Sequence, residues 1–238
     1  MRRGAAAVVV VVLVLVLAGG CGWPRDTGST LADVRAGVLR VGLSESPPWT
    51  WAPDRGEPQG AEVWLVQRLA QRLGARIEWY PGAESTLMPA LKDRVLDLVI
   101  GGLDATSPWL EQASLTRPYV TTKTVIAAPP GVPVPDDLAG TRVAVSAGTA
   151  EVAALAAEDA VVVSVPEVTG AEGLPVVIGE WRLSELGFES SGHELSTQDH
   201  VWAVSPGENG WQVEVEHFLL DLSADDVNGL LRRAEESR

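Results

Sequence analysis

The hydrophobic pattern of the chain switches repeatedly between strand-like and helix-like periods. Residues 95–100 (VLDLVI) form a short apolar run without a helical period, which is typical of a strand buried on both faces of a parallel sheet. Residues 38–42 and 76–80 also have strand patterns. Between them, residues 60–73 place apolar side chains at the i, i+3, i+4 and i+7 spacing of one helix face. This alternation predicts a parallel, doubly wound α/β sheet.

The second half of the chain continues the alternation. A β-rich segment at 121–128 runs into a proline-rich stretch at 129–135, which predicts a domain boundary. Further elements follow from the same patterns: strands at 160–165, 176–179 and 200–204, and helices at 31–36, 85–94 (capped by Ser85 or Thr86, with Pro89 in its first turn), 151–157, 181–186, 211–222 and 224–235.

The end of the strand at 95–100 gathers polar groups at one point. Gly101-Gly102 lets the backbone turn there, and Asp104 and Thr106 follow with polar side chains and free backbone N–H groups. Ser107-Pro108 predicts the N-cap and first position of a helix. Because ligands bind at the carboxyl ends of strands in open α/β sheets, we expect a ligand site here.

Composition narrows the class of partner. Hydrophobic residues make up 46% of the 238 positions, which is ample for a core. The net charge of −14 and the pI near 4.6 argue against nucleic acid and against anionic membrane surfaces as partners.

The amino terminus has the pattern of an export signal. Arg2-Arg3 is a positive region, residues 5–17 are apolar, and small residues precede Cys21. The apolar run is too short to span a bilayer, so a transmembrane anchor is the poorer interpretation. We therefore expect residues 1–21 to be a lipoprotein signal peptide ending at a lipidated Cys21, the only cysteine of the chain, with 22–30 as a tether.

Several motifs resemble those of one family. Leu96-Asp97-Leu98, Gly101-Gly102, Thr106-Ser107-Pro108 and Arg117-Pro118-Tyr119 are similar to the signature of the bacterial extracellular solute-binding proteins of family 3, the amino-acid type. One departure is large: Trp109 stands where the family has the arginine that clamps the α-carboxylate of the amino acid.

The resemblance implies a type II periplasmic-binding-protein-like fold, with two lobes, a hinge and an interlobe cleft. The first lobe is expected at 31–125 and 200–238 and the second, with fewer helices than usual, at 126–199. The family also implies a monomer that captures a small molecule, closes around it and is recognised by the permease of an ABC importer in the membrane.

Matched positions and strand-end loops together define an expected ligand site. Its members are Ser44, Trp49, Trp51, Gly101, Gly102, Asp104, Thr106, Trp109, Ser146, Thr149 and Glu180. The clamp arginine is missing at Trp109 while Asp104 and Glu180 are acidic, so the site favours a cationic ligand held by charge pairing and cation–π contacts. Arg117 or Arg142 remains open as a substitute for the missing cation.

Two other functional classes stay open. A degenerate binding fold can serve as a sensor or accessory lipoprotein without transport. An enzyme of the dehydratase type can be built on the same fold, with Asp104 and Glu180 as paired carboxylates. His193, His200 and His217 show no metal-ligand spacing, and we expect no catalytic residue, no metal and no cofactor.

Overall fold

The computed structural model describes residues 26–237, so the predicted signal peptide and Cys21 lie outside the described residues. The helices are α1 (Thr30–Val34), α2 (Ala61–Leu73), α3 (Glu84–Lys92), α4 (Glu151–Ala157), α5 (Leu183–Leu186), α6 (Asn209–Leu220) and α7 (Ala224–Glu236), with a 3₁₀ turn at Glu180–Arg182. The strands are β1 (Val38–Leu43), β2 (Arg76–Pro81), β3 (Leu98–Ile100), β4 (Ser114–Leu115), β5 (Val120–Ala128), β6 (Arg142–Ser146), β7 (Val161–Val165), β8 (Val176–Gly179), β9 (Glu189–His200) and β10 (Ala203–Val204). Between residues 26 and 237, no helix has the length and apolar content to cross a bilayer.

The first lobe is built on a five-stranded sheet of order β2-β1-β3-β10-β4. Strands β1, β2 and β3 are parallel, as predicted, and β10 runs antiparallel to both of its neighbours. Helix α2 covers this sheet with its apolar face and ends at Gly74, whose φ of 66° favours glycine. Trp202 and Trp211 are fully buried in the core of this lobe.

The second lobe contains the other five-stranded sheet, of order β7-β6-β8-β5-β9. Strands β5 and β9 pair antiparallel from Val120 opposite His200 to Ala128 opposite Glu189. The boundary expected at residue 125 falls inside β5, because the whole strand is hydrogen-bonded into the second sheet. The chain therefore leaves the first lobe just before Val120 and returns just after His200, and the return strand expected at 200–204 is divided between the two sheets.

Two local expectations were wrong, and a third was confirmed only in part. No helix begins at Ser107-Pro108. The Thr106 N–H donates to the Asp104 carboxylate, and the N–H groups of Gln112 and Ala113 both donate to the Trp109 carbonyl. These bonds form only a turn. The first turn of α3 begins earlier than predicted, because Ala83 rather than a hydroxyl residue is its N-cap, so Pro89 falls in the second turn. The helix expected at 181–186 is a 3₁₀ turn followed by the short α5.

Candidate ligand site between the lobes

A cavity of about 180 Å³ lies between the two lobes. The first lobe contributes Pro47 and Pro48 from the loop after β1, and Glu235 near the end of α7. The second lobe contributes Thr124 of β5, Val168 after β7, and the ends of β6 and β8 with the residues that follow them. Those lining residues are Thr124, Val145, Ser146, Thr149, Glu151, Val168, Val177, Ile178, Gly179, Trp181 and Arg182. Pro47, Pro48 and the residues after β6 and β8 lie at strand ends, the edge at which such sheets bind ligands.

Two predicted site residues, Ser146 and Thr149, lie in this cavity. Strand β6 ends at Ser146, and Gly148 turns the chain with a φ of 80°. The Thr149 hydroxyl donates to the Ser146 carbonyl at 3.0 Å, which fixes the turn. The turn thereby brings two hydroxyl groups to the second-lobe wall.

Trp181 closes one side of the cleft. A Cβ atom on Gly179 would lie 2.4 Å from the Trp181 ring nitrogen, so only glycine lets the ring fold back over the end of β8. The ring packs against the apolar core of the first lobe, and the Trp181 carbonyl accepts a hydrogen bond from Arg232 of α7 at 3.5 Å. Residues of the second lobe therefore contact the first directly.

Arg182 supplies the cation that sequence reasoning did not place. Within residues 26–237 it is the only basic side chain that lines the cavity, and 12% of its side chain is exposed. Its guanidinium nitrogens lie 3.6 Å from Glu185 and 3.6 Å from Glu235. Its buried Nε atom has no hydrogen-bond partner. The only signal in the sequence was its place three residues after the end of β8.

Neither arginine named from the sequence reaches this cavity. The Arg117 side chain is 73% exposed and lies 3.6 Å from Glu216 on α6. Arg142 is exposed at the start of β6, the end of that strand away from Ser146.

Glu62 is the second residue that sequence reasoning missed. Its carboxylate is fully buried and accepts four hydrogen bonds, from Gly101 N at 2.8 Å, Gly102 N at 2.9 Å, Tyr119 Oη at 2.7 Å and Trp202 Nε1 at 3.0 Å. Burial raises the pKa of Glu62, and the four donors oppose that rise. Since both glycine N–H groups are bonded to Glu62, they are not directed at the cavity. The signal for Glu62 in the sequence was an acidic residue at a buried position of α2.

Trp49 is a packing residue of the hinge rather than an open ligand platform. Its ring is 8% exposed and lies over the His200 ring, with centroids 3.9 Å apart, and meets Tyr119 edge-on. A Cβ atom on Gly102 would lie 2.6 Å from the Trp49 ring. Trp51 is partly buried against the first-lobe core and pairs with Gln59.

His200 lies at the second crossing between the lobes. Its residue is 1% exposed, and its Nε2 atom is 2.8 Å from the Thr122 hydroxyl. Burial lowers the pKa of His200 to about 4, although the Gly102 carbonyl, Asp104 and Asp199 favour its charged form. At neutral pH its imidazole is uncharged.

The remaining predicted residues lie outside the cavity. Asp104 accepts hydrogen bonds from Thr106 Oγ1, from Thr106 N at 2.7 Å and from Asp199 N at 3.2 Å. Burial alone raises the pKa of Asp104, but these bonds outweigh burial and lower the pKa. Ser44 lines a separate depression with Pro81 and Gly82.

Trp109 and Glu180 also face elsewhere. The Trp109 indole N–H donates to Glu84 at 2.6 Å, and its ring packs against the apolar cluster under α3. Glu180 is exposed beside the cavity and does not line it. The acidic pair Asp104 and Glu180 is therefore not assembled in this cavity.

Residues 39–233 match the model of the bacterial extracellular solute-binding proteins, family 3. The chain belongs to this family. The two-sheet α/β fold and the cleft between its lobes agree with that membership, as the sequence motifs predicted.

Two curated relatives are similar to part of this chain. Membrane-bound lytic murein transglycosylase F of Photobacterium profundum is 32% identical over 105 residues, which cover 43% of the chain and 20% of that protein. ABC transporter arginine-binding protein 1 of Escherichia coli is 30% identical over 113 residues, 47% of the chain and 46% of that protein. The matches thus span less than half the length of these curated relatives.

A solved structure extends the likeness to most of the chain. An ancestral cationic amino acid solute-binding protein superposes with a TM-score of 0.67 at 20% identity, covering 87% of this chain and 98% of that one. At that identity the likeness concerns the fold.

Proposed function

We propose that this protein is a lipid-anchored solute-binding protein that captures a small polar or cationic metabolite in the interlobe cavity for an ABC importer. The proposal is based on the observation that residues from both lobes line the cavity. Pro47, Pro48 and Glu235 come from one lobe, and Ser146, Thr149 and Arg182 come from the other. A solute bound there contacts both lobes and stabilises the closed arrangement, which is the signal that a membrane partner detects.

The charges of the cavity favour a cationic group on the ligand. The ionisable lining residues are Glu151, Arg182 and Glu235, and Arg182 is already placed between Glu235 and Glu185. The remaining negative charge suits an ammonium or guanidinium group, and the Trp181 ring adds an aromatic face for cation–π contact. With Trp109 turned toward Glu84, the family's carboxylate clamp has no equivalent at that position.

Lipid anchoring and transport rest on sequence and on relatives. The apolar segment before Cys21 supports export and lipidation of that residue. The arginine-binding relative is named as part of an ABC transporter, which supports an importer as the partner. A sensor or accessory role would use the same clamp without a permease.

We infer binding rather than catalysis. His200, which lies at the second crossing between the lobes, is buried, uncharged at neutral pH and bonded to Thr122 rather than facing the cavity. Glu151 and Glu235 are the carboxylates that line the cavity, and Arg182 is paired with Glu235. This arrangement suits electrostatic recognition of a charged solute.

The test is thermal unfolding of the soluble chain from Gly22 with a panel of metabolites. The panel contains arginine, lysine, putrescine and glycine betaine as cationic or quaternary-ammonium solutes, and glutamate and sulfate as anionic ones. A ligand at about 100 times its Kd adds roughly 2.7 kcal/mol, which for a chain of this size raises Tm by about 5–10 °C. A shift with cationic solutes supports the proposal. No shift with any solute favours the sensor or accessory role, and a shift with anions alone contradicts the cationic class.

A further inference from the structure

The first described residues are bound to the body of the first lobe rather than extending from it. Asp26 uses both carboxylate oxygens: Oδ1 accepts from Trp211 N at 2.8 Å and Oδ2 accepts from Leu31 N at 2.8 Å. These donors lie in the first turns of α6 and α1, so one side chain caps two helices.

Glu208 holds the same segment from the other side. Its side chain is fully buried and accepts hydrogen bonds from Thr27 Oγ1 at 3.0 Å, Thr30 N at 3.1 Å and Gly28 N. Arg94 Nε donates to it at 2.9 Å. A Cβ atom on Gly28 would lie 2.7 Å from Arg94, so the contact requires glycine. Burial alone raises the pKa of Glu208, but these bonds outweigh it and lower the pKa, consistent with a charged carboxylate.

This docking site lies at the amino edge of the first sheet, opposite the cleft. Arg94 precedes β3, which is parallel to β1, and Glu208 follows β10, which is antiparallel to β3. The cavity is at the other edge, where β1 continues into Pro47 and Pro48. The docked segment and the ligand site are therefore separated by the length of the strands.

The chain between Cys21 and Asp26 is shorter than that separation. Five peptide units join the two residues, and fully extended they reach at most about 18 Å. The six residues of β1 are joined by five steps and span about 17 Å, and the loop from Leu43 to Pro47 and Pro48 at the cavity adds to this distance. With the segment docked, a lipid on Cys21 cannot reach past the body to the cleft side.

We propose that the anchored protein holds the amino edge of its first sheet against the lipid surface, with the cleft facing away from the membrane. Turning the cleft toward a permease in the same membrane then requires release of Asp26 and of the Glu208 contacts. The proposal rests on the lipid anchoring stated under the proposed function. It adds the orientation of the anchored protein on the membrane and the contacts of Asp26 and Glu208 that fix this orientation.

Fluorescent labels at opposite edges of the first lobe test this orientation. Lys92→Cys places a label at the end of α3, on the amino edge, and Arg55→Cys places one in the loop after β1, on the cleft edge. Both positions are exposed and both variants remove one positive charge, so they are matched. Lipidation consumes the thiol of Cys21, the only native cysteine, so the label attaches only at the new site.

The full lipidated chain is reconstituted in phosphatidylcholine vesicles that contain a headgroup-bound quencher. We expect the label at position 92 to be quenched severalfold more than the label at position 55. A Gly-Ser insertion of about 20 residues after Trp23, which adds roughly 25 Å of reach, should remove the difference without altering the fold. Equal quenching at the two positions in the native-length chain would overturn the orientation.

Separate measurements test the lipid anchoring and the orientation. Mass spectrometry of the amino-terminal peptide reports whether Cys21 carries a diacylglyceryl group. An unmodified Cys21 overturns both the anchoring and the orientation. A lipidated Cys21 with equal quenching overturns only the orientation, and neither result affects ligand binding, which is measured on the soluble chain.

Discussion

Arg182 of the second lobe faces Glu235 of the first across the cleft, with Nη1 and Oε1 3.6 Å apart. The exposed fractions of the two side chains are 12% and 13%, so water and salt screen this ion pair less than a surface pair. Together with the contact of Arg232 to the Trp181 carbonyl, it joins α7 to the residues that follow β8. The C-terminal helix is therefore part of the clamp and not only of the first-lobe core.

Arg182→Gln should loosen the closed arrangement of the ligand-free protein. Loss of the guanidinium leaves Glu235 without this interlobe ion pair, so the open form gains population. Small-angle X-ray scattering should show a larger radius of gyration than in the parent. Arg142→Gln, at an exposed site on the far end of β6, is the matched control and should leave the radius unchanged. Equal radii for all three proteins would contradict an interlobe role for Arg182.

Gly102→Ala should destabilise the protein more than Gly187→Ala. Both glycines have a φ of 64°, so the backbone strain of alanine is the same at each. At Gly102 the new Cβ atom also meets the Trp49 ring, whereas nothing lies within 4 Å at Gly187. We expect about 1 kcal/mol at Gly187 and an additional cost of about 1–3 kcal/mol at Gly102 from displacing Trp49. Urea unfolding measures both, and equal losses would mean that the Trp49 contact is not tight.

Glu62→Gln should cost about 2–3 kcal/mol in the free energy of unfolding. The amide offers one acceptor oxygen where the carboxylate has two, and its NH₂ group then opposes buried donors such as the Trp202 indole N–H. Glu111→Gln, at an exposed turn position, is the matched control and should change stability by less than about 0.5 kcal/mol. Equal stability of the two variants would show that the four donors do not depend on Glu62.

His200 should make stability fall with acid between about pH 6.5 and pH 4. The unfolded chain gains a proton on this residue near its usual pKa of 6.5, whereas the folded chain does not until about 4. The unfolded state therefore binds more protons in this window, and the contribution of His200 to unfolding free energy drops by about 2 kcal/mol from pH 7 to pH 5.

The measurement is urea unfolding at both pH values in the parent, in His200→Gln and in His217→Gln, whose site on α6 is exposed. His200→Gln should show a smaller drop than the parent, and His217→Gln should show the parental one. A parental drop in His200→Gln would assign the acid sensitivity to other groups.

The strands of the first lobe were predictable because buried parallel strands leave short apolar runs. The observed β3 is shorter than the predicted run, since Val95 is 55% exposed and the buried Asp97 turns to pair with Arg40 at 2.6 Å. The position of the first crossing was not predictable. Val120–Ala128 has a strand pattern whichever sheet it joins. The sheet is decided by its pairing with β9, in which Val120 lies opposite His200, 80 residues further along the chain.

The candidate site was predictable only where a side chain follows directly from a strand end. Ser146 and Thr149 are of this kind. Trp109 is not, because its direction depends on Glu84, 25 residues earlier, which takes its indole N–H. Arg182 was missed because its contact with the cavity requires the 3₁₀ turn after β8 and a carboxylate at the far end of the chain.

The most direct test of the account is titration calorimetry with the cationic solute that gives the largest thermal shift. Glu235→Gln, Arg182→Gln and the control Glu111→Gln are compared with the parent. A cationic ligand class predicts that Glu235→Gln weakens binding at least about tenfold, or about 1.4 kcal/mol, that Arg182→Gln, which loses the same interlobe ion pair, weakens it less, and that Glu111→Gln has no effect. Binding of glutamate or sulfate that is lost in Arg182→Gln and retained in Glu235→Gln would contradict it, because the cavity would then recognise an anion.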